Sequence, residues 1–173
     1  MNPEPGHVPL VEAARNGDRT AFGRLYDLYG SMVHGILLAR VPHYEVRDLV
    51  QDVFLQALRR LDHLRDPGAF GGWLASIARN RAVDYHRRAL PTTELPEELP
   101  GPERDDAEAL AVLRIIRTLP EAYRETLILR LVEGMTGPEI AARTGLSPGS
   151  VRVNLHRGVA RLREQLEVRP VHE

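Results

Sequence analysis

The apolar residues of the 173-residue chain recur at steps of three and four over most of its length, which is the spacing of amphipathic helices. The most regular run predicts a helix over about Glu45 to Leu61. A second run predicts a helix that follows the turn at Asp66-Pro67-Gly68 and ends at Arg88. The apolar face of the first helix consists of Val46, Leu49, Val50, Val53, Phe54, Ala57, Leu58 and Leu61. That of the second consists of Phe70, Trp73, Leu74, Ile77, Ala78, Ala82 and Tyr85. No segment has the alternating pattern of a strand, so we predict an all-α fold.

Two shorter helices are predicted upstream of these. Asp18 can cap the first of them, because an aspartate oxygen accepts hydrogen bonds from the free N–H groups of a first turn. Its apolar positions are Ala21, Phe22, Leu25, Leu28 and Tyr29. The next helix is predicted from about Met32 to Arg40, and it stops before Pro42 because the residue that precedes a proline disfavours helical geometry.

A change of composition marks a boundary between two domains. Residues 91–103 contain four prolines and four glutamates, a composition that favours a stiff, non-helical linker. Beyond it, two helices are predicted at about residues 106–118 and 120–132. We therefore divide the chain into a helical domain over residues 1–88, a linker over 89–107 and a second helical domain over 108–173.

The second domain carries the signals of a helix-turn-helix. Thr136 and Glu139 have the spacing of a capping box, which predicts the start of a short helix. Gly145 can adopt the left-handed conformation that ends such a helix. Ser147 followed by Pro148 then begins a longer helix. The buried positions of that helix are Val151, Leu155, Val159, Leu162 and Leu166. The fold we predict is two small helical domains joined by an acidic, proline-rich linker, with the helix-turn-helix in the second.

Charge is unevenly distributed along the chain. Twelve arginines oppose ten acidic residues in 1–88, one opposes seven in 89–111, and ten oppose seven in 112–173, so the net charges are +2, −6 and +3. Two mildly basic blocks separated by an acidic connector are compatible with nucleic-acid binding, although the whole chain has a net charge of −1. All 23 basic residues are arginine, whose planar fork suits phosphate and guanine.

Several classes of protein are disfavoured by the composition. The chain has no cysteine, which excludes disulfides and thiolate metal sites. Its seven histidines are scattered, and neither a His-Glu-x-x-His pair nor a glycine-rich phosphate loop occurs. We therefore expect that the protein is not an enzyme and that it binds no cofactor or metal. The first residues lack the pattern of a signal peptide and no stretch is long and apolar enough to span a membrane, so we expect the protein to stay in the cytoplasm.

Outward-facing residues of three helices are candidates for binding. In a helix-turn-helix the first turns of the second helix reach base edges in the major groove. The outward residues there are Ser150, Arg152, Val153, His156, Arg157 and Arg161. The helix at 45–61 presents Arg47, Asp48, Gln51, Asp52, Leu55, Gln56 and Arg59, and here a partner surface and a solvated face explain the pattern equally well.

The helix that ends at Arg88 presents polar and basic residues opposite its apolar face. They are Ser76, Arg79, His86 and Arg87, together with the apolar Val83, and Asn80 and Asp84 lie at the flank. Arginine and asparagine beside aromatic residues suit a single strand, whose bases stack while its phosphates are neutralised. A lone tryptophan such as Trp73 is more often a core residue than a platform for a base. Arg81 lies on the apolar side, so its side chain must reach solvent or meet a partner.

Several segments, in order along about residues 20–166, resemble conserved regions of the extracytoplasmic-function (ECF) sigma factors of bacterial RNA polymerase. Those that resemble region two are Ala21-Phe22…Leu25-Tyr26…Tyr29, Asp48-Leu49-Val50-Gln51-Asp52-Val53-Phe54 and Trp73-Leu74-Ala75-Ser76-Ile77-Ala78-Arg79-Asn80-Arg81-Ala82-Val83-Asp84-Tyr85-His86-Arg87-Arg88. Those that resemble region four are Leu119-Pro120-Glu121-Ala122-Tyr123-Arg124 and Glu139-Ile140-Ala141…Gly145-Leu146-Ser147…Ser150-Val151-Arg152…Leu155-His156-Arg157.

The resemblance implies a role for each of the three surfaces. Docking on the β′ clamp helices of the polymerase would involve Asp48, Gln51, Asp52 and Leu55. Recognition and melting of the −10 element would involve Trp73, Arg79, Asn80, Asp84, Arg87 and the loop over residues 60–67. Reading of the −35 element would involve Ser150, Arg152, Val153, His156 and Arg157. Departures from the family pattern are Ser76, where arginine is common, Arg81, where an aliphatic residue is usual, and Asn154, where a basic residue is common.

The expected partners are core RNA polymerase, through its β′ clamp helices and β flap, promoter DNA and a separate anti-sigma factor. If the domains occupy promoter elements about two duplex turns apart, the linker must run stretched between them. The alternative function is a helix-turn-helix transcription regulator that acts on duplex DNA without polymerase.

Overall fold

The computed structural model describes residues 6–89 and 104–168, and within these ranges it contains helices and turns but no strand. We refer to the two ranges as the first half and the second half. The α-helices are α1 (His7–Arg15), α2 (Arg19–Leu38), α3 (His43–Arg60), α4 (Phe70–Arg88), α5 (Arg104–Thr118), α6 (Glu121–Leu131), α7 (Gly137–Thr144) and α8 (Pro148–Val168). Residues 90–103, the greater part of the predicted linker, lie outside the described residues. The predicted all-α class is confirmed.

The first helix was not predicted from the sequence. Val11 and Ala14 are buried where α1 packs against α2. Pro9 falls in its first turn, where a proline costs no hydrogen bond. A nine-residue helix of this kind is marginal alone, so its stability comes from tertiary packing.

Helix α2 is continuous, whereas the sequence predicted two helices over the same residues. The apolar face runs through the expected break, since Tyr29, Met32, Val33 and Ile36 are all buried. Gly30 lies between them, but a single glycine costs a helix only about 1 kcal/mol, which the burial of these four side chains outweighs. The predicted cap is confirmed: Asp18 accepts hydrogen bonds from the backbone N–H groups of Thr20 and Ala21 at 2.8 and 3.1 Å.

Helices α2, α3 and α4 enclose the core of the first half, where Leu25, Val53, Phe70 and Leu74 are fully buried. The predicted apolar face of α3 holds except at one position. Leu58 is 47% exposed because it lies at the edge of the face that meets α2 and α4.

The helix-turn-helix is formed by α7 and α8. The capping box is present in both directions, with Glu139 N–H donating to the Thr136 hydroxyl and Thr136 N–H donating to the Glu139 carboxylate. That backbone hydrogen bond is the main cause of the lowered pKa of Glu139. Gly145 ends α7 with φ of 76°, a left-handed conformation that favours glycine, and the Ser147 hydroxyl accepts from Ser150 N–H at the start of α8. The predicted helix-turn-helix is confirmed.

The two halves pack against each other, and we call this the closed arrangement. Helix α6 lies on α2, and α7 lies on α4. Glycine makes the approach possible, because a Cβ on Gly35 would lie 2.7 Å from Leu129 Cδ2, and one on Gly71 would lie 2.3 Å from the backbone oxygen of Arg143. Arg117 of α5 donates to the backbone carbonyls of Leu38, the last residue of α2, and of Val41 beyond it, at 2.8 and 2.6 Å.

Candidate nucleic-acid and partner interfaces

The first turns of α8 present an unobstructed face. Val151 and Leu162 are buried on the opposite side, and Gly158 lies so close to α6 that a Cβ there would be 3.1 Å from Leu127. The five residues predicted to read duplex DNA are all exposed. They are Ser150, Arg152, Val153, His156 and Arg157. The helix is thus held from behind, and its outward side is free to enter a groove.

The outward face of α3 carries charges of both signs, from Arg47, Asp48 and Arg59, around an apolar centre. Asp48 and Gln51 are exposed, and Leu55 between the polar residues is 51% exposed. The fourth predicted residue, Asp52, is half-buried, because Arg81 of α4 donates to its carboxylate at 2.5 Å. The sequence predicted that Arg81, on the apolar side of α4, must reach solvent or meet a partner. Its partner is Asp52 of α3.

Helix α4 presents part of its predicted nucleic-acid face to solvent. Asn80 and Arg87 are exposed. Asp84 accepts from Arg87 one turn on, at 2.6 Å, so the carboxylate aligns the guanidinium along the helix. Ser76 donates to the Gly72 carbonyl of its own helix at 3.0 Å. Because serine is uncharged, this position lacks the positive charge that an arginine would bring.

Trp73 lies beside a cavity at the boundary between the halves. The side chain is half-buried, with its ring 5.9 Å from that of Phe70. The cavity has a volume of about 440 Å³ and is lined on one side by the segment from Leu64 to Ala69. Its other side is formed by Ala142 and Gly145 of the helix-turn-helix. The size suits one planar group, and in the closed arrangement the second half forms one wall of this open cavity.

Arg79 is not free in the closed arrangement. Its Nε and Nη2 atoms donate to the two carboxylate oxygens of Glu125 on α6, at 3.0 and 2.6 Å. Arg40, just after α2, donates to the same carboxylate at 2.5 Å and to Glu121 at 2.6 Å. The Glu125 side chain is only 5% exposed. One buried carboxylate therefore joins two guanidinium groups of the other half.

The electrostatics of this cluster are consistent with a charged pair. Burial raises the pKa of Glu125, but the hydrogen bonds and positive charges of Arg79 and Arg40 outweigh that effect and hold the pKa below its ordinary value. The hydrogen bond to Glu125 correspondingly raises the pKa of Arg79. A second contact between the halves joins His34 of α2 to Glu133, and this hydrogen bond raises the pKa of the histidine.

The sequence interpretation missed Glu125, Arg40 and the pair of His34 with Glu133. One signal was available for the first of these. Glu125 is closely followed by the consecutive apolar residues Leu127, Ile128 and Leu129, a pattern that indicates that α6 is covered on more than one side. A charged residue in such a helix needs a partner, although the sequence does not say which.

Comparison with known proteins places both halves in established families. The model described as "Sigma-70 region 2" matches residues 25–90, and the one described as "Sigma-70, region 4" matches residues 109–162. The ECF RNA polymerase sigma factor SigD of Mycobacterium tuberculosis (strain ATCC 25618 / H37Rv) is 35% identical over 174 residues, which cover 91% of this chain and 82% of the relative. The ECF RNA polymerase sigma-E factor of Escherichia coli (strain K12) is 32% identical over 86% of this chain and 87% of that protein.

A solved structure supports the fold over nearly the whole length. CnrH, in complex with the cytosolic domain of CnrY, matches with a TM-score of 0.67 and 29% identity, covering 94% of this chain and 97% of that chain. RpoE of Bartonella quintana, solved with the anti-sigma factor NepR, has a TM-score of 0.52 at 22% identity, covering 83% and 94%, and shows a similar fold.

An all-helical chain with sigma-70 region 2 in its first half and region 4, with its helix-turn-helix, in its second half is an RNA polymerase sigma factor. The relatives define the group more narrowly. The chain belongs to the ECF RNA polymerase sigma factors. Proteins of this family are not catalytic. Among the described helices, none has the length and apolar character needed to span a membrane.

Proposed function

We propose that this sigma factor docks on the polymerase through the outward face of α3. The observation that carries the proposal is Leu55, an apolar side chain that is 51% exposed beside the exposed Asp48 and Gln51. An exposed apolar side chain within a polar rim is typical of a protein–protein interface, and the Asp48 carboxylate offers a charge to a basic group on a partner such as the β′ clamp helices. Asp52, although paired with Arg81, lies on the same face and belongs to this site. The second half would dock on the β flap.

The second surface is proposed to read the −35 element. The first turns of α8 carry Arg152 and Arg157, and an arginine fork on guanine is the commonest specific contact in the major groove. Ser150 and His156 add hydrogen-bonding groups, and Val153 offers an apolar contact for a thymine methyl group. The exposure of all five side chains supports this role.

The third surface is proposed to recognise the −10 element and to hold the opened strand. Arg79, Asn80, Asp84 and Arg87 follow one side of α4, and Trp73 lies at its start beside the cavity. Positive groups that follow a strand, together with an aromatic platform, are the features that bind single-stranded nucleic acid. The domain limits in this proposal are 1–88 for the −10 domain and 108–173 for the −35 domain.

A transcription assay distinguishes this function from a regulator that acts on duplex DNA alone. We expect the purified chain to bind core polymerase and to start specific transcription, and to bind promoter duplex weakly without polymerase, since its basic blocks carry only +2 and +3. Tight, sequence-specific binding of duplex by the isolated chain, with no affinity for core polymerase, would favour the regulator.

A separate anti-sigma factor is proposed as a further partner. CnrH was solved with the cytosolic domain of CnrY, and the more distant RpoE with the anti-sigma factor NepR. By analogy, an inhibitor of this chain would cover the α3 face in the cytoplasm, where the polymerase works. Affinity purification of the tagged chain from uninduced cells should yield such a protein. Recovery of the chain only with polymerase would contradict this part of the proposal.

A further inference from the structure

Arg40 and Arg79 have the arrangement of an anion site within the first half. Arg40 donates from Nη1 to the Ile36 carbonyl at 2.9 Å, so its guanidinium is held by its own helix and not only by the second half. Arg79 projects from α4 toward the same point, since both groups donate to one carboxylate of Glu125. Two guanidinium groups that converge on a single pair of oxygens can equally bind a phosphate.

The occupant of this site comes from the other half. Glu125 is nearly inaccessible, with 5% of its side chain exposed, and the Arg40 side chain is 8% exposed. If the halves separated, the two arginines would lose their counter-charge and face solvent together. Two adjacent unpaired cations repel one another, so the vacated site would favour an anion of similar shape.

The position of the site indicates which anion it takes. Arg79 precedes Asn80 on α4, and Arg87 follows two turns later, so the site is continuous with the proposed strand-binding face. The cavity beside Trp73 lies along the same helix, and Ala142 and Gly145 of the second half line its other side. A strand that ran along α4 would therefore meet the second half at two places, at Glu125 and at the helix-turn-helix turn.

We propose that Arg40 and Arg79 form a binding site for a backbone phosphate of single-stranded DNA, and that Glu125 occupies this site in the closed arrangement. Strand binding and closure then exclude one another. The carboxylate of α6 is an internal competitor for the phosphate, and the chain withholds its own −10 surface until the halves part. This inference rests on the proposed role of α4 in holding the opened strand.

The experiment measures closure and strand binding on the full chain. The sequence has no cysteine, so Ser76→Cys and Ala142→Cys introduce a single reactive pair across the cavity that both residues line. The yield of crosslinking by a short bismaleimide reports closure. A fluorescein-labelled single-stranded oligonucleotide of mixed sequence reports strand binding. We expect saturating oligonucleotide to lower the crosslinking yield, and a yield that does not change overturns the proposal.

Glu125→Gln removes the competing charge and keeps the shape of the side chain. It should lower crosslinking and raise the apparent affinity for the oligonucleotide about tenfold, because that affinity scales with the open fraction. Glu164→Gln is the matched control, the same change at an exposed position of α8, and should alter neither quantity. In the Glu125→Gln background, Arg40→Gln should reverse the gain in affinity. Absence of either effect contradicts the phosphate site.

A second variant covers the case in which Glu125→Gln fails to fold, as judged by circular dichroism. Gly71→Ala leaves every charge in place, but its Cβ would lie 2.3 Å from the Arg143 backbone oxygen, so the halves must shift apart. It should show the same loss of crosslinking and gain in affinity, and unchanged values overturn the proposal. Binding to core polymerase is measured on the same proteins. A parent chain that does not bind core refutes the proposed function, whereas one that binds core but stays crosslinked with DNA present refutes this inference alone.

Discussion

Asp52 of α3 and Arg81 of α4 form an ion pair of 2.5 Å that ties the proposed polymerase-docking face to the proposed strand-binding helix. The Arg81 Nε atom is buried and makes no hydrogen bond within the described residues, so the contact with Asp52 is the polar anchor of this side chain. Where an aliphatic residue would only fill space against α3, arginine adds a charge contact. The Asp52 carboxylate is thereby oriented, and partly neutralised, before any polymerase arrives.

Reversal of the charge at Asp52 tests its role in docking. Asp52→Arg should weaken binding to core polymerase, measured by competition with a labelled parent chain. The variant should lose no more than about 1 kcal/mol of unfolding free energy, since partly exposed ion pairs contribute little. Equal competition by the variant and the parent would show that this face does not dock.

The double variant Asp52→Arg with Arg81→Asp separates docking from packing. It restores an ion pair with the charges exchanged, so the stability of the parent should return. Binding to core should not return, because the outward charge remains reversed. Recovery of both would show that Asp52 acts only through the contact with α4.

Asn80 offers a test of strand opening. Asn80→Ala should assemble with core polymerase normally but start transcription poorly from duplex promoters. A template with a pre-melted bubble should rescue it, because the unstacking cost of a few kcal/mol is then already met. Ser76→Ala, on the same exposed side of α4, is the control and should need no bubble. A defect of Asn80→Ala that persists on the bubble template argues against a role in melting.

Arg157 distinguishes base reading from phosphate contact. If its guanidinium reads a base, Arg157→Ala should reduce use of promoters that depend on a −35 element by about 1–3 kcal/mol and relax specificity at one position. Arg163→Ala, exposed farther along α8, should have little effect. A uniform loss of affinity on all DNA sequences would instead assign Arg157 to the phosphate backbone.

The contact of His34 with Glu133 predicts that closure depends on pH. The pKa of His34 is raised above 6.5 in the closed arrangement, chiefly by the hydrogen bond to Glu133. The contact therefore contributes fully below pH 6.5, and its contribution is lost as the pH rises through the raised pKa. The effect should be modest, since the His34 side chain is 45% exposed.

Spin labels on Ser76→Cys and Ala142→Cys measure this dependence. The fraction of molecules at the short distance should fall as the pH rises through the raised pKa of His34. His34→Gln should abolish the dependence over the same range. A short-distance fraction that is independent of pH in the parent chain would contradict the assignment.

The sequence predicted local structure where a single residue type determines the backbone. The structure confirms the predicted helix caps at Asp18, at Thr136 with Glu139, and at Gly145. Each of these residues bonds to, or sets the conformation of, backbone only a few positions away. The continuity of α2 through Gly30 was missed for the opposite reason. There the outcome depends on a long buried face, and that burial outweighs a local preference.

Contacts between the halves could not be predicted by the same means. Arg40 and Glu125 are 85 residues apart, and the period of apolar residues shows that a face is buried but not what covers it. Of the residues assigned to the −10 surface, the sequence therefore placed Asn80 and Arg87 outward correctly. It gave no indication that Arg79 would pair with Glu125 of the second half.

The close approach of the two halves at Gly35 and Gly71 affects the lifetime of the protein. Each half alone has a small core, and domains of that size bury a modest share of their surface. In the closed arrangement the two cores support each other, so the chain should unfold as one cooperative unit. Once the halves part, each must resist unfolding alone, and proteases act on chains that open more often. The form that can bind DNA is then also the form most readily degraded unless polymerase covers it, which would limit the duration of a transcriptional response without any further component.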